Sequence, residues 1–91
     1  MVKIKWANLA LEDLKTIYEY VAQDSPKYVD RLMDKIISRV DVLKTNPQIG
    51  RKVPEFGDTL IRELIEGNYR LTYRLDKKDD IGITSTIRQD Y

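Results

Sequence analysis

The sequence predicts an α+β domain with the element order β-α-α-β-β-β, in which a helical hairpin packs on one face of an antiparallel sheet. Apolar residues recur at spacings of three and four through the first half of the chain, which is typical of amphipathic helices. In the second half they alternate with polar residues, which is typical of strands. Two helices joined by a short turn should lie antiparallel and cover the sheet together.

The chain opens with a short strand that leads into the first helix. Val2, Ile4 and Trp6 alternate with lysines, and this alternation indicates the strand. Asn8 suits the N-cap of the helix that follows, because its side chain can accept a hydrogen bond from the first turn. The apolar stripe of this helix consists of Ala10, Leu14, Ile17, Tyr18 and Val21.

The second helix begins at Ser25-Pro26, because serine suits an N-cap and proline is tolerated at the first helical position. It continues for about five turns until Thr45-Asn46-Pro47 stops it. Residues 46–58 then form a loop rich in proline and glycine. The apolar stripe of the second helix consists of Val29, Leu32, Met33, Ile36, Ile37, Val40 and Leu43.

Three strands complete the chain, over residues 59–65, 68–76 and 81–88. Gly67-Asn68 suits a two-residue hairpin turn between the first two, and Lys77-Lys78-Asp79 suits the second turn. A two-residue turn pairs the strands in one register, whereas a three-residue turn would exchange their faces.

We expect the two-residue register, because it sets Leu64 opposite Leu71 on the face that carries Tyr69 and Tyr73. In this register Arg62 falls among the core-facing residues. The same turn pairs Ile65 with Arg70 and Ile61 with Arg74.

Strict alternation in the last strand turns Ile81, Ile83 and Ile87 towards the core and Gly82, Thr84, Thr86 and Arg88 outward. Arg70, Arg74 and Arg88 are therefore predicted to converge, as target-binding residues, on the sheet face that the helices leave open. The alternative is that arginines on an exposed face serve only solubility. Glu63 on the neighbouring strand is the nearest counter-ion, and it could reduce the cluster to a cross-strand salt bridge.

The composition excludes several kinds of site. Cysteine and histidine are absent, so the chain cannot form disulfides, thiolate zinc sites or imidazole acid–base catalysts, and we expect no metal and no cofactor. A net charge of +1 argues mildly against a nucleic-acid binder. The charged fraction of 34% and the lack of a long apolar run lead us to expect a single soluble domain over residues 1–91, in the cytoplasm and not in a membrane.

Short matches to a known family occur in order along nearly the whole chain. They are Trp6, Ala10, Asp13-Leu14 and Ile17; Ser25-Pro26; Leu43, Pro47 and Gly50-Arg51; Arg62-Glu63-Leu64; Tyr69-Arg70 and Tyr73; and Arg88-Gln89-Asp90. By these residues the chain resembles the RelE/ParE superfamily of bacterial toxins from type II toxin–antitoxin modules, and it looks closer to the ParE-like branch.

The resemblance implies a compact toxin that a co-expressed antitoxin holds inactive in a toxin–antitoxin hetero-oligomer. ParE-like members block DNA gyrase and are not nucleases, whereas RelE-like and YoeB-like members cut messenger RNA on the ribosome. Four features favour the ParE-like activity: the Ser25-Pro26 helix start, the Pro-Gln-Ile-Gly-Arg loop over 47–51, Arg62-Glu63-Leu64 and the near-zero net charge. A non-toxic binding module with a decayed site is a third alternative.

Whether the chain is an enzyme depends on the branch. A ribonuclease of this superfamily would have Arg70, Arg88, Tyr91 and Glu55 as its catalytic residues. The two arginines would bind the scissile phosphate, the tyrosine would act as acid or orient the phosphate, and the glutamate would act as base. Ile61 and Glu63 stand where RelE itself carries catalytic lysines, which counts against that mechanism.

Overall fold

A computed structural model of the chain describes residues 3–53, 60–75 and 80–88. The elements are β1 (Ile4–Trp6), α1 (Asn8–Asp24), α2 (Pro26–Asp41), a 3-10 turn (Val42–Lys44), β2 (Arg51–Lys52), β3 (Ile61–Glu66), β4 (Tyr69–Leu75) and β5 (Ile81–Arg88). The predicted α+β class is confirmed. Val2, Phe56, the second hairpin turn at 77–79 and residues 89–91 lie outside the described residues.

The two helices form the predicted hairpin, with Ser25 as the residue between them. The Ser25 amide donates to the Val21 carbonyl at 2.9 Å, which closes the last turn of α1, and Pro26 starts α2. Asn8 was expected to cap α1, but it is the first helical residue and Ala7 occupies the cap position. The Ala7 amide donates to the Ile83 carbonyl at 2.9 Å, so the chain leaves the sheet and enters the helix without a spacer.

The sheet has five strands in the order β1-β5-β4-β3-β2. It is mixed and not wholly antiparallel as predicted, because β1 pairs with β5 in parallel. It also contains a strand that the sequence did not predict: Arg51 and Lys52 leave the loop and pair with Glu63 and Arg62. Both differences concern pairings between distant segments, which alternation within one segment does not encode.

The register of the first hairpin is the predicted one. Leu64 lies opposite Leu71, and the flanking pairs are Ile65 with Arg70 and Ile61 with Arg74. Gly67 adopts a φ of 58°, the left-handed conformation that a tight turn requires and that glycine adopts at little cost.

The register of the second hairpin differs from the prediction. Thr72 pairs with Ser85 and Tyr73 pairs with Ile83, so Thr84 is an extra residue in β5, a β-bulge. The Thr84 hydroxyl donates to the Thr72 carbonyl at 3.1 Å and stabilises the bulge. Beyond Thr84 each side chain of β5 therefore lies on the opposite face from the one that strict alternation predicts.

The core lies between the helices and one face of the sheet, which we call the helix face. Thr86, predicted to face outward, is buried on this face, and its amide donates to the Asp13 carboxylate of α1 at 3.2 Å. Tyr18 and Ile37, assigned to the apolar stripes, are instead exposed. The core cluster consists of Ala10, Ile17, Leu32, Ile36, Val40, Leu43, Leu64, Tyr69, Leu71, Tyr73, Ile81 and Ile83. Within the described residues, neither helix is long and apolar enough to cross a membrane.

Candidate functional site

The other face of the sheet, which we call the open face, carries the candidate site. Because side chains alternate between the two faces along a strand, the pairing of β3, β4 and β5 arranges the side chains of the open face in three cross-strand rows. These rows are Ile65–Arg70–Ile87, Glu63–Thr72–Ser85 and Ile61–Arg74–Gly82.

A buried carboxylate holds two arginines on the open face. Glu63 is only 2% exposed although it lies on the open face. Its Oε1 accepts a hydrogen bond from Arg51 Nε, and its Oε2 lies 2.9 Å from Arg70 Nε, an ion pair without the alignment of a hydrogen bond. The Arg70 side chain is 26% exposed and the Arg51 side chain 62%, so the two guanidinium groups cover the carboxylate. We call Arg51, Glu63 and Arg70 the arginine clamp.

The arginine clamp contains the cross-strand salt bridge between Glu63 and Arg70 that the sequence suggested as an alternative. Two guanidinium groups and one carboxylate leave a net charge of +1, so Arg70 is not part of a bare cationic cluster. Arg51 was not predicted at this site. Its position opposite Glu63 comes from the β2–β3 pairing, for which the sequence carries no periodic signal.

Arg74 is exposed on the open face, as predicted, between Ile61 and Gly82. It lies four residues from Arg70 along β4, about 13 Å at the usual rise of a strand. The structure thus brings Arg70 and Arg74 to one face of the sheet.

Arg88 does not join them, so its predicted convergence with Arg70 and Arg74 is wrong. The bulge at Thr84 turns Arg88 to the helix face, where it lies opposite Tyr69. Its guanidinium carbon lies 5.3 Å from the centre of the Tyr20 ring of α1, which is a cation–π distance. Arg88 therefore belongs to a surface separate from that of Arg70.

Tyr73 holds the loop that delivers Arg51 to the clamp. Its buried hydroxyl donates to the Pro47 carbonyl and accepts from the Gly50 amide, each at 2.9 Å. Arg62 supports the same loop by donating from Nη1 to the carbonyls of Gln48 at 3.1 Å and Gly50 at 3.0 Å. Burial raises the pKa of the Tyr73 hydroxyl above its usual value of 10.0, and the Gly50 hydrogen bond and the positive Arg62 oppose that rise.

Replacing Tyr73 with phenylalanine is expected to lower the free energy of unfolding by about 2 kcal/mol, because the buried Gly50 amide and the part-buried Pro47 carbonyl lose their partner. The contribution of the hydroxyl should be complete below about pH 10 and fall above it, since the unfolded chain ionises this tyrosine before the folded protein does. Urea denaturation of wild type and Tyr73→Phe at neutral pH and above pH 10 measures both effects. Tyr20→Phe, at a residue 56% exposed, is the control. A constant difference between wild type and Tyr73→Phe across this range would contradict the pH effect.

A groove of about 680 Å³ lies between β1 and the helical hairpin, at the β1 edge of the sheet. Its walls are mostly apolar, and the charged residues that also line it are Lys3, Lys5, Asp41 and Lys44. The apolar lining includes Ile4, Trp6, Leu11, Leu14, Ile37 and Val40. β1 is the edge strand of the described sheet beside this groove.

Two of the predicted catalytic residues, Glu55 and Tyr91, lie outside the described residues. Over the described ranges, no group of three or more acidic, histidine or cysteine side chains could hold a metal ion. The described part of the predicted ribonuclease set is Arg70 and Arg88, and these two arginines occupy opposite faces of the sheet.

Comparisons with known proteins agree with the fold. The chain is similar to a solved structure described as the chromosomal ParDE TA system from P. aeruginosa, with a TM-score of 0.78 and 26% sequence identity over 99% of this chain and 98% of that chain. No curated protein matches the sequence significantly. A family model described as the ParE toxin of the type II toxin-antitoxin system parDE matches residues 4–90. The chain therefore belongs to the ParE family of type II toxins.

Proposed function

We propose that residues 1–91 form a single toxin domain that acts in the cytoplasm by binding DNA gyrase and is not a nuclease. Membership of the ParE family is the observation that carries this proposal. Arg70 and Arg74 on the open face are the contact residues, whereas Arg88, the third predicted contact residue, lies on the opposite face.

The chemistry of the clamp supports a protein target over a scissile phosphate. A ribonuclease site concentrates positive charge where a phosphate develops further negative charge in the transition state. Here the Glu63 carboxylate lies against Arg70, and Ile61 shares the face where the resemblance would require a lysine. The ribosome-dependent cleavage of messenger RNA remains the alternative that the experiments must distinguish.

We place the cognate antitoxin in the groove between β1 and the helices. An apolar lining of this size fits one face of an amphipathic segment, and Lys3 and Lys5 on the β1 side suit acidic residues on that segment. Lys44 already pairs with Asp41. Binding there would give the toxin–antitoxin hetero-oligomer that the resemblance implies. Lys5 lines the groove and also lies opposite Gly82 on the open face, whereas Arg70 and Arg74 do not line the groove. Substitutions at Arg70 or Arg74 should therefore separate loss of target binding from loss of antitoxin binding.

Purified wild-type protein is expected to inhibit supercoiling by gyrase and to stabilise its cleavage complexes, and the antitoxin should reverse both effects. Arg74→Ala should weaken inhibition several-fold while antitoxin binding remains at the wild-type level, because Arg74 does not line the groove. A toxin that leaves gyrase unaffected while translated messenger RNA is cut would overturn the gyrase assignment in favour of a ribonuclease.

A further inference from the structure

We propose that the row Ile65–Arg70–Ile87 is the centre of the target-binding surface, and that its partner is a folded protein presenting an apolar side chain with carboxylates around it. This inference rests on the proposed function, because it names the contact residues and partner chemistry of the same open face. It concerns two isoleucines to which neither the resemblance nor the charge pattern assigns a role.

The row is apolar where a solvated sheet face should be polar. Ile65 and Ile87 are 38% and 45% exposed, on the two strands that flank Arg70. Directly opposed residues on neighbouring strands have Cβ atoms about 5 Å apart, so the three side chains form one continuous surface. Burying two isoleucines against a partner stabilises a complex, whereas leaving them in water stabilises nothing.

The bulge at Thr84 produces this row. With strict alternation Ile87 would face the core and Arg88 would lie beside Arg70, giving a cationic face. The extra residue exchanges them, so Ile87 lies beside Arg70 and Arg88 lies against Tyr20. The register therefore replaces a positive charge by an apolar group at the centre of the open face.

The charges around the row favour a protein partner over RNA. The described charged side chains on the strands of the open face are Lys5, Arg51, Glu63, Arg70 and Arg74, with a net charge of +3. Lys5 lies opposite Gly82 at the β1 edge, so the row itself carries only the charge of Arg70. Glu63 holds Arg70 by a short ion pair, so Arg70 loses less side-chain freedom on binding. A fixed arginine between two apolar side chains is typical of the energetic centre of a protein–protein interface. RNA binding would require more positive charge and rings for base stacking, and the described open-face rows contain no aromatic residue.

The test uses full-length Ile65→Thr, Ile87→Thr and the double variant. Threonine is β-branched and suits a strand, so the sheet should be preserved while the apolar surface is lost. Each single variant is expected to bind purified gyrase about tenfold more weakly, and the double variant should no longer arrest growth. Affinity for the antitoxin and the thermal midpoint should stay near wild type.

Leu9→Thr is the matched control, since it removes an exposed apolar group, 59% exposed, from α1 at a distance from the open face. It should bind gyrase and arrest growth as wild type does. Wild-type gyrase affinity and growth arrest in the Ile65→Thr/Ile87→Thr variant would overturn the inference.

The outcomes separate this inference from the proposed function. Wild type could arrest growth without binding gyrase and without cutting messenger RNA, while the Ile65→Thr and Ile87→Thr variants no longer arrest growth. In that case the gyrase assignment falls and the row stands as the contact for another protein. If arrest comes from messenger RNA cleavage that the row variants retain, the row inference falls as well. A wild-type chain that neither binds gyrase nor arrests growth would overturn both proposals.

Discussion

Replacing Arg70 with methionine is expected to lower the free energy of unfolding by about 2–3 kcal/mol, a large effect for a partly exposed residue. The cause is Glu63, whose side chain is 1% exposed and would keep only Arg51 as its partner. A buried carboxylate that loses one of two guanidinium partners pays a desolvation cost that the remaining pair does not offset. Chemical denaturation measures the change.

Glu63→Gln in the Arg70→Met background should restore most of that stability, because a neutral amide does not require a second cation. Arg31→Met, an exposed arginine on α2, is the control and should change stability by less than about 0.5 kcal/mol. If the changes in the free energy of unfolding caused by Glu63→Gln and Arg70→Met simply add in the double variant, Glu63 and Arg70 are not energetically coupled.

The Glu63→Gln and Arg70→Met substitutions, singly and combined, also determine how functional tests of Arg70 are interpreted. A loss of toxicity in Arg70→Ala alone would combine a lost target contact with a destabilised fold. The Glu63→Gln/Arg70→Met variant separates the two, since its stability should recover while a contact made by Arg70 stays lost. Growth arrest by this double variant at the wild-type level would exclude Arg70 as a target contact.

Gly50→Ala should destabilise the fold about as much as Arg70→Met does, lowering the free energy of unfolding by about 3 kcal/mol. A Cβ at Gly50 would lie 2.6 Å from Cε1 of Tyr73 and 2.8 Å from the Glu63 carbonyl oxygen. Tyr73 is fully buried and the Glu63 carbonyl belongs to β3, so neither neighbour can yield without moving the core or the sheet.

Gly67→Ala is the matched control for Gly50→Ala. Nothing lies within 4 Å of a Cβ at Gly67, and the expected cost of about 1 kcal/mol comes only from its φ of 58°. Thermal and chemical denaturation of the two variants measures the difference. Equal losses of stability in both would contradict the steric explanation for Gly50.

The sequence was sufficient for the elements whose signals are local. The spacing of apolar residues located both helices, and Ser25-Pro26 marked the junction between them. Gly67-Asn68 decided the pairing of β3 with β4, because a two-residue turn permits one register. The same local signals, in order, were sufficient to recognise the toxin superfamily, and the family match over residues 4–90 confirms that resemblance.

Only the tertiary structure decided the composition of the candidate site. The segment Thr84-Ser85-Thr86 consists of small polar residues that suit either face of a sheet, so nothing in it predicts the bulge that separates Arg88 from Arg70. Arg51 and Glu63 pair although they are twelve positions apart in the sequence, and hydrophobic periodicity carries no information about such a contact. Local patterns determine which residues can share a face, whereas packing against α1 and β2 determines which of them do.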